Sequence, residues 1–182
     1  IILNKIKDLT QKEQELLNNI NFHKKSFNTH FDIKNSKLYV SCLKLKDENI
    51  KTAISTAINF LKKTKKQNIK IDITQSKKEL EIQTIVEGLV LGNYEFLKYK
   101  SATNEEKIKD IEICIDSSSK TKEELEENLK KALIICNSVN FTRNIVNSSP
   151  EDYYPQIMAD DALKIAQNNK NIECKIFGED YL

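Results

Sequence analysis

Glycine, proline and arginine are scarce in this chain and tryptophan is absent: of 182 residues three are Gly, two are Pro, and Arg143 carries the only guanidinium. Globular chains average about 7% glycine, so chemistry that needs several glycines in one loop starts at a disadvantage. Gly88, Gly92 and Gly178 cannot be arranged into GxGxxG or GxxxxGKS, which removes the dinucleotide fingerprint and the P-loop. The lack of arginine weakens any site built on bidentate phosphate or carboxylate forks. No apolar run approaches the ~20 residues of a membrane-spanning helix, and IILNKIKDLTQ meets Lys5 and Asp8 too soon for a signal peptide. The chain opens on Ile1 rather than Met, which suggests that a preceding segment was trimmed or is absent.

Four cysteines are present, Cys42, Cys114, Cys136 and Cys174, with no CxxC pair among them. Zinc sites usually show at least one close ligand pair, so these read as core thiols in a reducing compartment, and a cytoplasmic location is expected. Charge is plentiful but balanced, 29 Lys and Arg against 27 Asp and Glu. A net charge of +2 argues against a dedicated polyanion binder.

Periodicity supplies the fold class. Thr10 and Glu13 have capping-box spacing ahead of Leu16, Leu17 and Ile20, predicting a helix from Thr10 to about Asn19. KLYVSCLKL at 37–45 is apolar on both faces, as in a covered strand. Ile50, Ala53, Ile54, Ala57, Ile58 and Leu61 make 47–63 an amphipathic helix, and IKIDI at 69–73 is a second strand. Ser76 and Glu79 repeat the capping spacing before a long helix carrying Ile82, Ile85, Val86, Leu89 and Phe96. IEICI at 111–115 is a third strand, and Thr121 with Glu124 opens a helix through Leu125, Leu129, Ala132, Cys136 and Val139. Pro155 suits the first turn of a further helix through Met158, Ala162 and Ile165, with ECKIF at 173–177 as one more strand. Strand–helix alternation of this length predicts an α/β fold with a mostly parallel sheet between helices, and a domain boundary near 147–155.

No residue makes a credible catalytic centre. His23 and His30 lie seven apart without HExxH or HxH spacing and read as surface or edge-strand histidines. KKTKKQNIK at 62–70 reads as the solvated C-terminal turn of a helix, where positive charge is favoured, and it has no interleaved aromatic platform for nucleic acid. Gly88 and Gly92, four apart in a predicted helix, each cost roughly 1 kcal/mol relative to Ala, which close approach of another backbone would explain. Arg143, beside Asn144 and Asn147, reads as a salt bridge or carbonyl clamp at the domain boundary. Asp160 and Asp161 are adjacent, hence on different sides of a helix, and cannot act as a carboxylate pair. Tyr153 and Tyr154 are expected to pack at the linker.

Two segments resemble a known family. VEGLVLGNYEFLKYK at 86–100 is similar to the "EG…LG.Y.F..YK" segment of the leucyl (cytosol) aminopeptidases, including Gly88, Gly92 and Tyr94. FTRNIVNSSPEDYYPQIMADDALKIA at 141–166 resembles the stretch that joins that family's two domains, matching at Arg143, Asn147, Pro150 and Pro155. Ser148 and Ser149 stand where Thr and Pro are common there, and Asp152 falls near rather than on the usual second Asn. The resemblance implies a macro-like, three-layer N-terminal domain over residues 1–146, then an interdomain linker and the truncated start of a metallopeptidase domain over 147–182. It implies a homohexameric, cytoplasmic parent that uses two divalent ions, Zn or Mn, to release N-terminal amino acids from peptides by two-metal hydrolysis. The family's metal-ligand segments do not occur in this sequence and should lie beyond Leu182. No metal ligand, cofactor-binding or catalytic residue is therefore assigned, and the chain alone is expected to be inactive. The competing expectations are a stand-alone macro-like module for ADP-ribose or a related nucleotide, against which the shortage of glycine counts, and a DNA-binding accessory domain.

Overall fold

A computed structural model describes residues 2–3, 9–44, 46–64, 68–72, 81–101, 110–114 and 120–181. The elements in chain order are β1 (Ile2–Leu3), α1 (Gln11–Asn19), a 3-10 turn (Phe22–Lys24), β2 (Thr29–Asp32), β3 (Lys37–Ser41), α2 (Asp47–Lys62), β4 (Asn68–Asp72), α3 (Ile82–Gly92), β5 (Asp110–Cys114), α4 (Lys122–Asn147), α5 (Pro155–Gln167) and a second 3-10 turn (Glu179–Tyr181). Two compact units result, Ile1–Asn140 and Phe141–Leu182.

In the first unit β3 pairs parallel with β1 and antiparallel with β2, while β4 and β5 form a separate parallel pair. The architecture is a mixed α/β domain. Its main core joins Leu38, Val40 and Cys42 to Ile50, Ala53, Ile54 and Ile58 of α2 and to Ile85 and Leu89 of α3. Ile69, Ile71, Ile111 and Ile113 of β4 and β5 pack against the same core. Tyr39, pointing to the other face of β3, is buried with Leu17 of α1 and Phe22. Helices thus cover β3 on both faces, as its sequence predicts. The β4–β5 pair differs, because Lys70 and Glu112 are neighbours on its other face with both side chains largely exposed. Alternation of Ile with Lys, Asp and Glu is the signature of a half-buried strand.

Helix ends follow local chemistry. Thr10 caps α1 through a complete capping box with Glu13, and Thr121 and Glu124 exchange the same pair of hydrogen bonds ahead of α4. Asp47 and Glu48 in the first turn and Lys62 in the last complement the dipole of α2. The Ser76–Glu79 start expected for the third helix lies outside the described residues. That helix is also shorter than its pattern suggests: it ends at Gly92 with Asn93 as its C-cap, so Phe96 falls beyond it and packs edge-on against Tyr99.

The second unit holds α5, with Pro155 at its first position and Tyr154 extended before it, as the residue preceding a proline must be. The strand expected at 173–177 is not formed. An extended segment becomes a strand only when a neighbouring strand takes up its amide groups, and the second unit has none among its described residues.

Candidate functional surface

Gly88 and Gly92 lie along the side of α3 that meets α2. A Cβ on Gly88 would sit 2.9 Å from Ile54 Cβ and 3.1 Å from the Lys51 carbonyl oxygen. On Gly92 it would sit 2.8 Å from Ser55 Cα, inside any real contact distance. Lys51 pairs with Glu87, and this ion pair is the main cause that lowers the Glu87 pKa. Further along, Lys62 donates to the carbonyl of Asn93 at 3.1 Å and to Glu95 at 2.8 Å. Partners advance together along both helices, so α2 and α3 run in the same direction with little space between them. Tyr94 follows directly, half-buried.

A second tie holds α1 to the sheet. Glu13 accepts from Tyr39 Oη at 2.7 Å and from Lys37 Nζ at 3.1 Å, while its other oxygen accepts from the Thr10 amide and hydroxyl. These donors, the Tyr39 hydroxyl foremost, lower the Glu13 pKa to about 2. Burial, reinforced by the same hydrogen bond, raises that of Tyr39. His30 of the edge strand β2 stacks on the Tyr39 ring, with centroids 6.4 Å apart. The capping-box spacing revealed half of this arrangement. Nothing in the sequence marked the tie across 26 residues from Glu13 to Tyr39.

Helix α4 turns Ala132 and Cys136 inward, where they are buried with Ile82 and Val86 of α3, with Leu129 packed beside them. Leu133, Ile134 and Ile135 stand exposed, Ile134 by 59%. A helix apolar around much of its circumference normally has protein on more than one side. The cysteines divide likewise: Cys42 and Cys136 are buried as core thiols, but Cys114 and Cys174 are only partly covered. Cys114 ends β5 on its polar face, donating to Glu112 at 3.4 Å, which is why alternation rather than residue type decides its burial.

In the second unit Arg143 is half-buried on α4, and Asn147 is exposed as the last residue of that helix. Pro150 lies in the turn that follows, where the amides of Asp152 and Tyr153 donate to the Ser149 carbonyl, both at 3.0 Å. Tyr153 is half-buried, whereas Tyr154 is exposed rather than packed. Asp160 accepts from Gln156 and Asp161 from Lys164, so the adjacent carboxylates serve different partners. Phe141, Val146, Met158, Leu163 and Ile165 are all exposed.

The described residues bring no three His, Cys, Asp or Glu side chains into a cluster that could hold a metal ion, and none of their helices is long and apolar enough to cross a membrane. A two-metal centre therefore does not fit the described residues.

Comparison with known proteins gives a consistent result. The N-terminal domain of the cytosol aminopeptidase family matches residues 41–103. A probable cytosol aminopeptidase of Campylobacter jejuni is 37% identical over 158 residues, covering 83% of this chain and 32% of that protein. One of Wolinella succinogenes is 32% identical over 179 residues, covering 93% and 36%. The chain thus spans about a third of the length of these relatives. Among solved structures, a tomato leucine aminopeptidase variant superposes with a TM-score of 0.72 at 17% identity, covering 94% of this chain and 39% of that one. The bottromycin maturation enzyme BotP in complex with Mn gives 0.64 at 12% identity, covering 84% and 33%. The structural likenesses establish the fold alone. The sequence matches place an N-terminal domain of the cytosol aminopeptidase family in this chain.

Proposed function

We propose that the chain is the non-catalytic front portion of a leucyl-type metalloaminopeptidase whose complete form releases N-terminal amino acids from peptides. One observation carries the reading: 158 residues align at 37% identity with a third of a cytosol aminopeptidase, and the family domain matched is the N-terminal one. On this reading residues 1–146 are a macro-like domain, and 147–182 are the linker and the start of the catalytic domain. Arg143, Asn147, Pro150 and Pro155 then shape the junction, while Gly88, Gly92 and Tyr94 serve the packing of the first domain. On this reading the parent is a cytoplasmic homohexamer, and two divalent ions, Zn or Mn, held outside the described residues would supply Lewis-acid chemistry for peptide hydrolysis. The Mn in BotP supports the metal class. The exposed Leu133, Ile134 and Ile135 support a chain that works joined to further protein, since a helix apolar around much of its circumference normally has protein on more than one side.

The test compares hydrolysis of leucyl-p-nitroanilide by this 182-residue chain and by the protein made from its full reading frame, each supplied with Mn2+ or Zn2+. Turnover by the longer protein alone is expected. Turnover by this chain, a reading frame that stops at Leu182, or an inactive full-length protein with both metals overturns the reading.

A further inference from the structure

We draw no further inference here: the strongest candidate, the apolar patch of Leu133, Ile134 and Ile135 on the surface of α4, carries nothing beyond the reading above because nothing in the structure shows what covers it.

Discussion

Helices α3 and α5 look alike as sequence and behave differently as structure. Both carry apolar residues at spacings of three and four. Yet α3 buries Ile82, Thr84, Ile85, Val86, Gly88 and Leu89, whereas α5 buries none of its residues. The difference lies in what each has to pack on. α3 meets α2 along its glycine side and α4 through Ile82 and Val86, in a unit that also supplies a sheet. α5 belongs to a unit of about 40 residues, near the size below which a chain needs disulfides, metals or a partner to build a core. Apolar periodicity therefore forecasts a helix, while burial depends on whether the neighbours are present.

Truncating one apolar side chain in each helix gives the sharpest contrast. Ile85→Ala removes a fully buried side chain and should cost about 2–5 kcal/mol in urea-induced unfolding. Ile165→Ala in α5 acts on a half-exposed side chain and should stay within about 1 kcal/mol. Equal losses would mean that α5 is covered in solution, and the comparison would fail.

Gly92→Leu attacks the seam between α2 and α3. Its Cβ would meet Ser55 Cα, so one helix must move, with an overpacking cost of about 1–3 kcal/mol that the modest gain in helix propensity does not cancel. An unchanged melting temperature would remove close approach as the reason for glycine at this position.

Much of this was legible in the sequence, and the exceptions share a cause. Capping spacings located the starts of α1 and α4, and the apolar faces of α2 and β3 found their core. Gly88 and Gly92 signalled a close neighbour without saying which, because a glycine records only that space is short. Four expectations went wrong where pairing or neighbours decide: the strand at 173–177, the reach of the third helix to Phe96, the burial of Cys114 and Cys174, and the packing of Tyr154. Ladder partners and distant side chains, such as Tyr39 for Glu13, leave no trace in local periodicity.

Glu13→Gln tests a tie that has no counterpart in α5. The substitution removes the charge and leaves one acceptor oxygen where Glu13 uses two, so either Tyr39 and Lys37 or the Thr10 amide and hydroxyl lose their acceptor, and it should cost about 1–2 kcal/mol at pH 7. The folded-state pKa of Glu13, about 2, lies below the ordinary value of 4.5, so its contribution is complete above pH 4.5 and is lost as pH falls toward 2. The difference between wild type and variant should shrink over that interval. Asp161→Asn, which breaks a pair with the exposed Lys164, should stay within about 1 kcal/mol. A pH-independent gap for Glu13→Gln would show that the carboxylate charge contributes nothing.

Ile134→Gln should have the smallest effect on stability and is the most informative about α4. Ala132 and Cys136 face α3 and are buried, while Ile134 is 59% exposed, so a polar side chain there removes no core contact. Gln is also the slightly better helix former. Stability should therefore change by no more than about 0.5 kcal/mol. Association should respond more, because Leu133, Ile134 and Ile135 present apolar surface to any neighbour. Light scattering of the concentrated 182-residue chain is expected to decrease with Ile134→Gln and to stay unchanged with Lys130→Gln on the same helix. If Ile134→Gln instead lowers the melting temperature as Ile85→Ala does, α4 is enclosed within this chain, and the contrast between a completed core and an uncovered helix applies to α5 alone.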